Sequence, residues 1–127
     1  MTKIADIGTT LGPDVLTFCR DLFGAEQQAL AANVPVAVAD LAYGPDERNR
    51  LDLYGTSQAP VPVVLFVHGG GFVLGDKAAD GWPNAAVGRW AAGQGWIGAV
   101  MNYRLAPANK WPAGGEDVVA AVDWLVA

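Results

Sequence analysis

The stretch that decides the fold is VPVVLFVHGGGF, residues 61–72. Residues 61–67 are apolar without alternation, which is typical of a strand buried on both faces in the middle of a parallel sheet. The glycines 69–71 that follow can adopt backbone dihedrals closed to other residues, and they let a ligand approach the amides closely. Converging N–H groups in such a loop can stabilise a developing negative oxygen. A glycine-rich turn that merely connects a strand to a helix is the alternative at this point.

The residues around this stretch predict a helix, a hairpin, and then strand–helix–strand–helix. Residues 14–32 have a helical apolar pattern, with Pro13 suited to a first helical position and Pro35 ending the segment. Turn residues 44–49 join two β-rich segments, which predicts an antiparallel hairpin. The other predicted elements are strands at 61–67 and 96–103 and helices at 84–94 and 116–127. They form a βαβ unit that leads toward another strand, so the chain reads as unfinished.

Composition and charge exclude several classes of protein. The chain has 127 residues, 52% of them apolar and 17% charged, which indicates a buried globular core. A net charge of −5 makes nucleic acid and anionic membrane surfaces poor partners. The single cysteine, Cys19, allows no internal disulfide, and no apolar run approaches the roughly 18 residues of a membrane span. The start of the chain lacks the apolar stretch of a signal peptide, and a cytoplasmic location is expected.

A second motif, NYRLAP at residues 102–107, ends the next predicted strand and is followed by Trp111-Pro112-Ala113 and Glu116-Asp117. With HGGG upstream of it, the sequence resembles the hormone-sensitive-lipase-like branch of the α/β-hydrolase carboxylesterases. The predicted hairpin also resembles the opening strands of these enzymes and of kynurenine-formamidase-like relatives. The resemblance covers roughly residues 34–127, and the first helix matches it only loosely.

The resemblance implies the N-terminal half of an α/β-hydrolase fold. This is a mostly parallel sheet with an antiparallel first hairpin and flanking helices. Residues 1–33 would be a helical segment able to cap the site, although core packing explains its apolar face equally well. Residues 34–127 would be half of the hydrolase core. They would lack the nucleophile elbow, and strand 61–67 would lie beside the strand that carries it.

Site residues also follow from the resemblance. The amides of Gly70 and Gly71 would donate to the oxyanion, while His68, Gly69 and Phe72 would be structural parts of the loop. Trp82 is a candidate for a substrate pocket. Trp90, Trp96, Trp111 and Trp124 are expected to pack in the core. Arg104 is expected to pair with Glu116 or Asp117, a generic surface salt bridge being the alternative.

The sequence does not supply a catalytic triad. Ser57, the one serine, lies in a segment without the second glycine of a Gly-x-Ser-x-Gly elbow, and a strand rather than a helix follows it. The one histidine, His68, belongs to the loop motif. No cofactor is predicted, and no metal site, since one histidine and dispersed carboxylates give no ligand spacing.

The leading interpretation is a serine carboxylic-ester hydrolase acting on short-chain or aryl esters through an acyl-enzyme, completed by a C-terminal half. Without that half, the chain alone is expected to be inactive and to expose a strand edge that needs a partner. An edge-to-edge homodimer is the other candidate partner. An arylformamidase-like amide hydrolase is a related alternative. A non-catalytic truncated hydrolase domain, acting in binding or assembly, is the alternative from a different class.

Overall fold

The computed structural model describes residues 8–9, 12–79 and 82–127. Residues 1–7, where the absence of a signal peptide was predicted, lie outside this part. The elements confirm the predicted types and their order. In chain order they are α1 (Pro13–Asn33), β1 (Val38–Ala42), β2 (Arg50–Tyr54), β3 (Val63–Val67), α2 (Asn84–Gly93), β4 (Ile97–Met101) and α3 (Ala113–Val126).

The four strands form one sheet in the order β1-β2-β4-β3. β3 and β4 are parallel and are joined through α2, which confirms the predicted βαβ unit. β1 and β2 form the predicted antiparallel hairpin. β2 is also antiparallel to β4, so among these four strands the sheet is mixed rather than mostly parallel.

β2 is buried on both faces, which its alternating sequence did not predict. Leu51 lies in the core as expected, but Asp52 and Tyr54 on the opposite face are buried as well. Helix α2 covers that face, where a side chain at Gly88 would stand 2.6 Å from the Tyr54 ring. A carboxylate in this position needs a partner, because an unpaired buried charge is costly.

β3 lies at an edge of the sheet, and β4 is its single strand neighbour among the described residues. Burial on both faces was expected, but Val63 is exposed and the other residues of β3 are only partly buried. The N–H and C=O groups on the outer side of β3 therefore have no strand to pair with in the described chain. This is the open edge that the sequence predicted.

The core lies between the sheet and α3. Its buried members are Tyr43, Leu51, Met101, Tyr103 and Ala121. Three of the four tryptophans assigned to the core are exposed instead, namely Trp90, Trp111 and Trp124. Trp96 is half-buried, packed edge-on against Trp90. An apolar helix face indicates burial only where another element covers it, so the prediction failed for Trp90 and Trp124, and Val122 of α3 is also exposed. Trp111 lies before α3, where it packs edge-on against Phe72 and remains exposed.

Helix α1 packs on the molecule without a fully buried residue. It begins at Pro13 as predicted, and Cys19 on its apolar face is half-buried. The Arg89 guanidinium of α2 donates to the carbonyl oxygens of Ala31 and Val34 at its C-terminal end. None of the helices in residues 12–79 and 82–127 has the length and apolarity to cross a membrane.

Candidate active site

The glycine loop, defined here as residues 68–74, leaves the carboxyl end of β3 in a tight left-handed turn. Gly70 has φ +124° and Gly71 has φ +61°, both in the region that favours glycine. The Gly70 carbonyl oxygen accepts hydrogen bonds from the amides of Val73 at 3.1 Å and Leu74 at 3.2 Å. The loop therefore folds back on itself directly after the strand.

The three glycines differ in what their positions require. A Cβ on Gly70 would stand 1.9 Å from the Leu74 carbonyl oxygen, so this position admits no side chain without rebuilding the turn. Gly71 faces open space but has a left-handed φ, whereas Gly69 has neither constraint. The backbone need for glycine thus lies at Gly70 and Gly71, and the loop-shaping role predicted for Gly69 stays a prediction.

The amides of Gly70 and Gly71 are available to an external acceptor. Neither donates a hydrogen bond to another residue in the part of the chain that the structure describes. A backbone N–H without a partner needs water or a ligand. The loop therefore presents two unpaired donors at the end of a parallel strand, which is the chemistry that an oxyanion hole requires.

The buried His68 side chain supports the first part of the glycine loop. It stacks on the Tyr103 ring, with 4.4 Å between ring centroids. Nδ1 lies 2.8 Å from the Gly69 carbonyl oxygen, and this contact assigns the proton to Nδ1. The Tyr103 hydroxyl donates to the His68 carbonyl oxygen at 2.7 Å. Nε2 is buried without a hydrogen-bond partner among the described residues.

Phe72 joins the loop to the segment after β4. Its φ of +63° is unusual for a residue with a side chain, and its ring packs edge-on against Tyr103 and Trp111, at centroid distances of 5.6 and 6.1 Å. The Phe72 carbonyl oxygen accepts a hydrogen bond from the Ala106 amide at 2.8 Å. A Cβ on Gly114 of α3 would stand 2.9 Å from the Phe72 ring, so that glycine makes room for it.

Helix α3 begins at Ala113, three residues before the predicted start at 116, and includes two glycines. Gly114 and Gly115 are poor helix formers, but a side chain at either would crowd an aromatic ring, Phe72 at the first and Trp111 at the second. The tertiary contacts therefore override the low helix propensity of the two glycines.

Arg104 pairs with both of its predicted partners, Glu116 and Asp117. The guanidinium lies 2.8 Å from Asp117 Oδ1 and 3.2 Å from Glu116 Oε2. The Arg104 amide also donates to Asp117 Oδ2 at 2.7 Å. Because the Asp117 side chain is buried, this is a structural pair rather than a generic surface salt bridge.

Sequence reasoning missed the polar side chains that hold the far end of the loop. Arg48 donates from Nε to the Tyr103 carbonyl oxygen at 2.8 Å and from Nη2 to the Gly75 carbonyl oxygen at 2.9 Å. Lys77 is buried against Asp52 of β2. Asp52 was the available signal, since a carboxylate between Leu51 and Leu53 in the interior of a strand must find a cation if it is buried.

Other candidate residues lie apart from the loop. Ser57 is in the exposed connection before β3, where its hydroxyl donates to the Ala59 carbonyl oxygen at 2.8 Å, which confirms a loop serine. Trp82 is exposed, and its pocket role stays a prediction. A cavity of about 430 Å³ lies beside the Arg104–Asp117 pair and is lined by the 44–49 turn and α3.

Residues 12–79 and 82–127 hold no cluster of three or more His, Cys, Asp or Glu side chains that could bind a metal ion.

Comparison with known proteins places this geometry in a family. The sequence profile of the BD-FAE family matches residues 51–127, more than half of the chain. Esterase LipC of Mycobacterium tuberculosis is 39% identical over 85 residues, which cover 65% of this chain and 20% of LipC. The 3-O-acetylpapaveroxine carboxylesterase CXE1 of Papaver somniferum is 29% identical over 130 residues, covering 88% of this chain and 39% of CXE1.

Solved structures show the same fold. An esterase from Pyrobaculum calidifontis superposes with a TM-score of 0.57 at 31% identity, covering 87% of this chain and 37% of that one. Esterase B of Lactobacillus rhamnosis gives a TM-score of 0.58 at 25% identity, with 87% and 37% covered. The chain thus spans about a fifth to two fifths of the length of the relatives that it matches.

Proposed function

The chain belongs to the BD-FAE family and has part of the α/β-hydrolase fold of carboxylesterases, and we propose that it carries the oxyanion hole of a serine carboxylic-ester hydrolase. The observation that carries the proposal is that the amides of Gly70 and Gly71 have no hydrogen-bond acceptor among the described residues and are held in a left-handed turn at the end of β3.

In the proposed reaction a serine hydroxyl adds to the ester carbonyl carbon while a histidine takes its proton. The carbonyl π electrons move onto oxygen, and the Gly70 and Gly71 amides donate hydrogen bonds to that oxyanion. When the tetrahedral intermediate collapses, the histidine gives its proton to the leaving alkoxide, which departs as the neutral alcohol and leaves an acyl-enzyme. Water, activated by the same histidine, then hydrolyses the acyl-enzyme to the acid and regenerates the serine. One oxyanion donor typically lowers the barrier by about 3–4 kcal/mol.

The nucleophile, acid and base are proposed to come from a C-terminal half outside this sequence. Within the sequence, Ser57 sits in an exposed turn before β3, and His68 is buried beneath the loop with Nδ1 on the Gly69 carbonyl. The free outer edge of β3 supports a further strand at that position, and such a strand would end near the Gly70 and Gly71 amides. Helix α1 is proposed to serve as part of a cap over the same site.

Short-chain or aryl esters are the proposed substrates. The relative CXE1 is named for a 3-O-acetyl compound, which supports a small acyl group. A reducing, cytoplasmic location is proposed as well, because Cys19 has no second cysteine in the sequence to pair with.

The test is active-site labelling of the native protein with a fluorophosphonate probe, resolved by denaturing mass spectrometry, together with hydrolysis of p-nitrophenyl acetate and an N-formyl aromatic amine. Label on a serine outside residues 1–127 with ester hydrolysis supports the proposal, whether that serine lies on the same or a second polypeptide. Faster cleavage of the formamide would make the protein an arylformamidase-like hydrolase. Absence of both label and turnover would favour the non-catalytic domain.

Gly70→Pro removes one donor and also replaces the φ of +124° that the turn requires, and it is expected to lower turnover by at least about 10²–10³. The matched control is Gly93→Ala, at an exposed helix end where an added Cβ meets no atom within 4 Å. Unchanged turnover in a folded Gly70→Pro variant would overturn the oxyanion assignment.

A further inference from the structure

A lysine is buried directly after the glycine loop. The Lys77 side chain is 7% exposed, and its ammonium lies 2.7 Å from Asp52 Oδ1 and 2.8 Å from Asp40 Oδ1. Burial by itself lowers the pKa of Lys77, but the hydrogen bonds to Asp40 and Asp52 outweigh it and the pKa is raised. The amine therefore stays charged, although a buried ammonium is costly unless its partners are well placed.

Strand β1 is distorted at Asp40, the second carboxylate that contacts Lys77. Its register with β2 shifts between Val38 and Leu41, and Asp40 between them has φ +55°. A left-handed φ is uncommon for a residue with a side chain and persists only where the surroundings fix it. The Asp40 amide donates to Asp52 Oδ1 at 2.9 Å, so the bulge brings two carboxylates to one ammonium.

The residues next to Lys77 are held by separate contacts. The Lys77 amide donates to Asn102 Oδ1 at 2.7 Å, and Asn102 Nδ2 donates to Asp76 Oδ2 at 2.8 Å. Arg48 holds the Gly75 carbonyl. Residues 75–77 are thus attached to β2 and to the end of β4, whereas residues 71–74 of the loop are exposed.

We propose that Lys77 is a positioning residue whose buried pair with Asp52 and Asp40 fixes the C-terminal end of the glycine loop and so aims the amides of Gly70 and Gly71. This inference rests on the proposed oxyanion role of those amides. The His68–Tyr103 contacts hold the first end of the loop, and the Lys77 pair holds the second together with Arg48 and Asn102. Releasing one end gives the intervening residues more conformations, and a misplacement of about 1 Å can cost about 10²-fold in rate.

The experiment compares Lys77→Met with Lys77→Arg, which keeps the charge, in the full-length protein. Lys110→Met, at an exposed lysine, is the matched control. Amide hydrogen exchange is followed at Ala106, whose N–H donates to the Phe72 carbonyl oxygen, and at Val100, a fully buried residue of β4. Steady-state kinetics with p-nitrophenyl acetate give kcat and KM separately.

For Lys77→Met we expect exchange at Ala106 to accelerate by about tenfold or more while Val100 stays near wild type, because local opening precedes global unfolding. We expect kcat to fall by about 10- to 100-fold with little change in KM. In Lys77→Arg, which keeps the charge, we expect both the exchange rate at Ala106 and kcat to stay much closer to wild type than in Lys77→Met.

Equal acceleration at Ala106 and Val100, or none at Ala106, would overturn the positioning role. If Lys77→Met fails to fold, Asp40→Asn replaces it, because it weakens the pair from the solvent side and leaves Asp52 on the lysine. The same local pattern at a smaller amplitude supports the proposal, and unchanged exchange at Ala106 counts against it. Should the wild-type protein hydrolyse no ester, the proposed function fails, while exchange at Ala106 still decides whether Lys77 anchors the loop.

Discussion

The segments that follow the two parallel strands use opposite chemistry. After β3, the glycine loop offers backbone amides, with Gly70 and Gly71 left-handed and unpaired. After β4, the side chains of residues 102–104 are all engaged: Asn102 accepts from the Lys77 amide, Tyr103 donates to the His68 carbonyl, and Arg104 pairs with Asp117. Both segments leave the same edge of the sheet, because β3 and β4 are parallel neighbours.

The difference separates the amides proposed to bind the oxyanion from the side chains that support them. A backbone donor can be aimed at a ligand only if the chain around it cannot relax, and the loop itself has few side chains to prevent this. The neighbouring segment supplies that rigidity through hydrogen bonds, ion pairs and aromatic stacking. Polar side chains near such a site are therefore not all catalytic, and those already engaged internally are more readily explained as support.

The largest expected effect comes from removing the left-handed turn in the first segment. Gly70→Ala places a Cβ against the Leu74 carbonyl at a φ that alanine rarely adopts, so the turn must open. Turnover should fall by about 10²–10³, as for loss of an oxyanion donor, with KM less affected. Steady-state ester hydrolysis measures this, with Gly93→Ala as control. Wild-type turnover in Gly70→Ala would show that the turn does not form the oxyanion hole.

Substitutions that remove a partner of the segment after β4 should lower the free energy of unfolding. The Asp117 side chain is 4% exposed and that of Glu116 is 62% exposed, although both contact the same guanidinium. Asp117→Ala leaves Arg104 without its buried partner and should cost about 3 kcal/mol in the free energy of unfolding. Glu116→Gln should cost under about 1 kcal/mol. Urea denaturation of both variants tests this, and equal losses would contradict the distinction between them.

The contact between the two segments can be tested at adjacent glycines of α3. Gly114→Ala crowds the Phe72 ring at 2.9 Å, whereas Gly115→Ala meets only the Trp111 ring, at 3.1 Å. Trp111 is 76% exposed and free to move. Gly114→Ala should destabilise by about 1–2 kcal/mol. Gly115→Ala should be near neutral, since alanine gains about 0.5–1 kcal/mol in helix propensity. Thermal unfolding compares them, and a reversed order would show that Phe72 does not dock there.

The last expected effect appears only at alkaline pH. Burial raises the pKa of Tyr43 to about 12, and its hydroxyl donates to the Asn102 carbonyl oxygen at 2.5 Å. A raised folded pKa stabilises the protein fully below the unfolded value of about 10, and this contribution is lost as pH rises toward the folded value. Wild type should therefore lose stability more steeply than Tyr43→Phe between about pH 10 and 12. Identical slopes in urea denaturation would contradict the assignment.

Much of the fold could be predicted from local pattern. The apolar run before the glycines indicated β3, turn residues indicated the β1–β2 hairpin, and helical spacing indicated α1 and α2. Burial was predicted less well. Trp111 and Trp124 were expected in the core but are exposed, and the sequence pattern did not predict that Asp52 is buried in a pair with Lys77.

The sequence by itself determined the element order, the family resemblance and the position of the glycine loop, because these depend on residues close together in the chain. Only the tertiary structure decided that Gly70 and Gly71, rather than Gly69, carry the left-handed turn. It also decided that Asp40, Asp52 and Lys77 meet. Those contacts join residues far apart in sequence, and no local periodicity encodes which buried charge will find which partner.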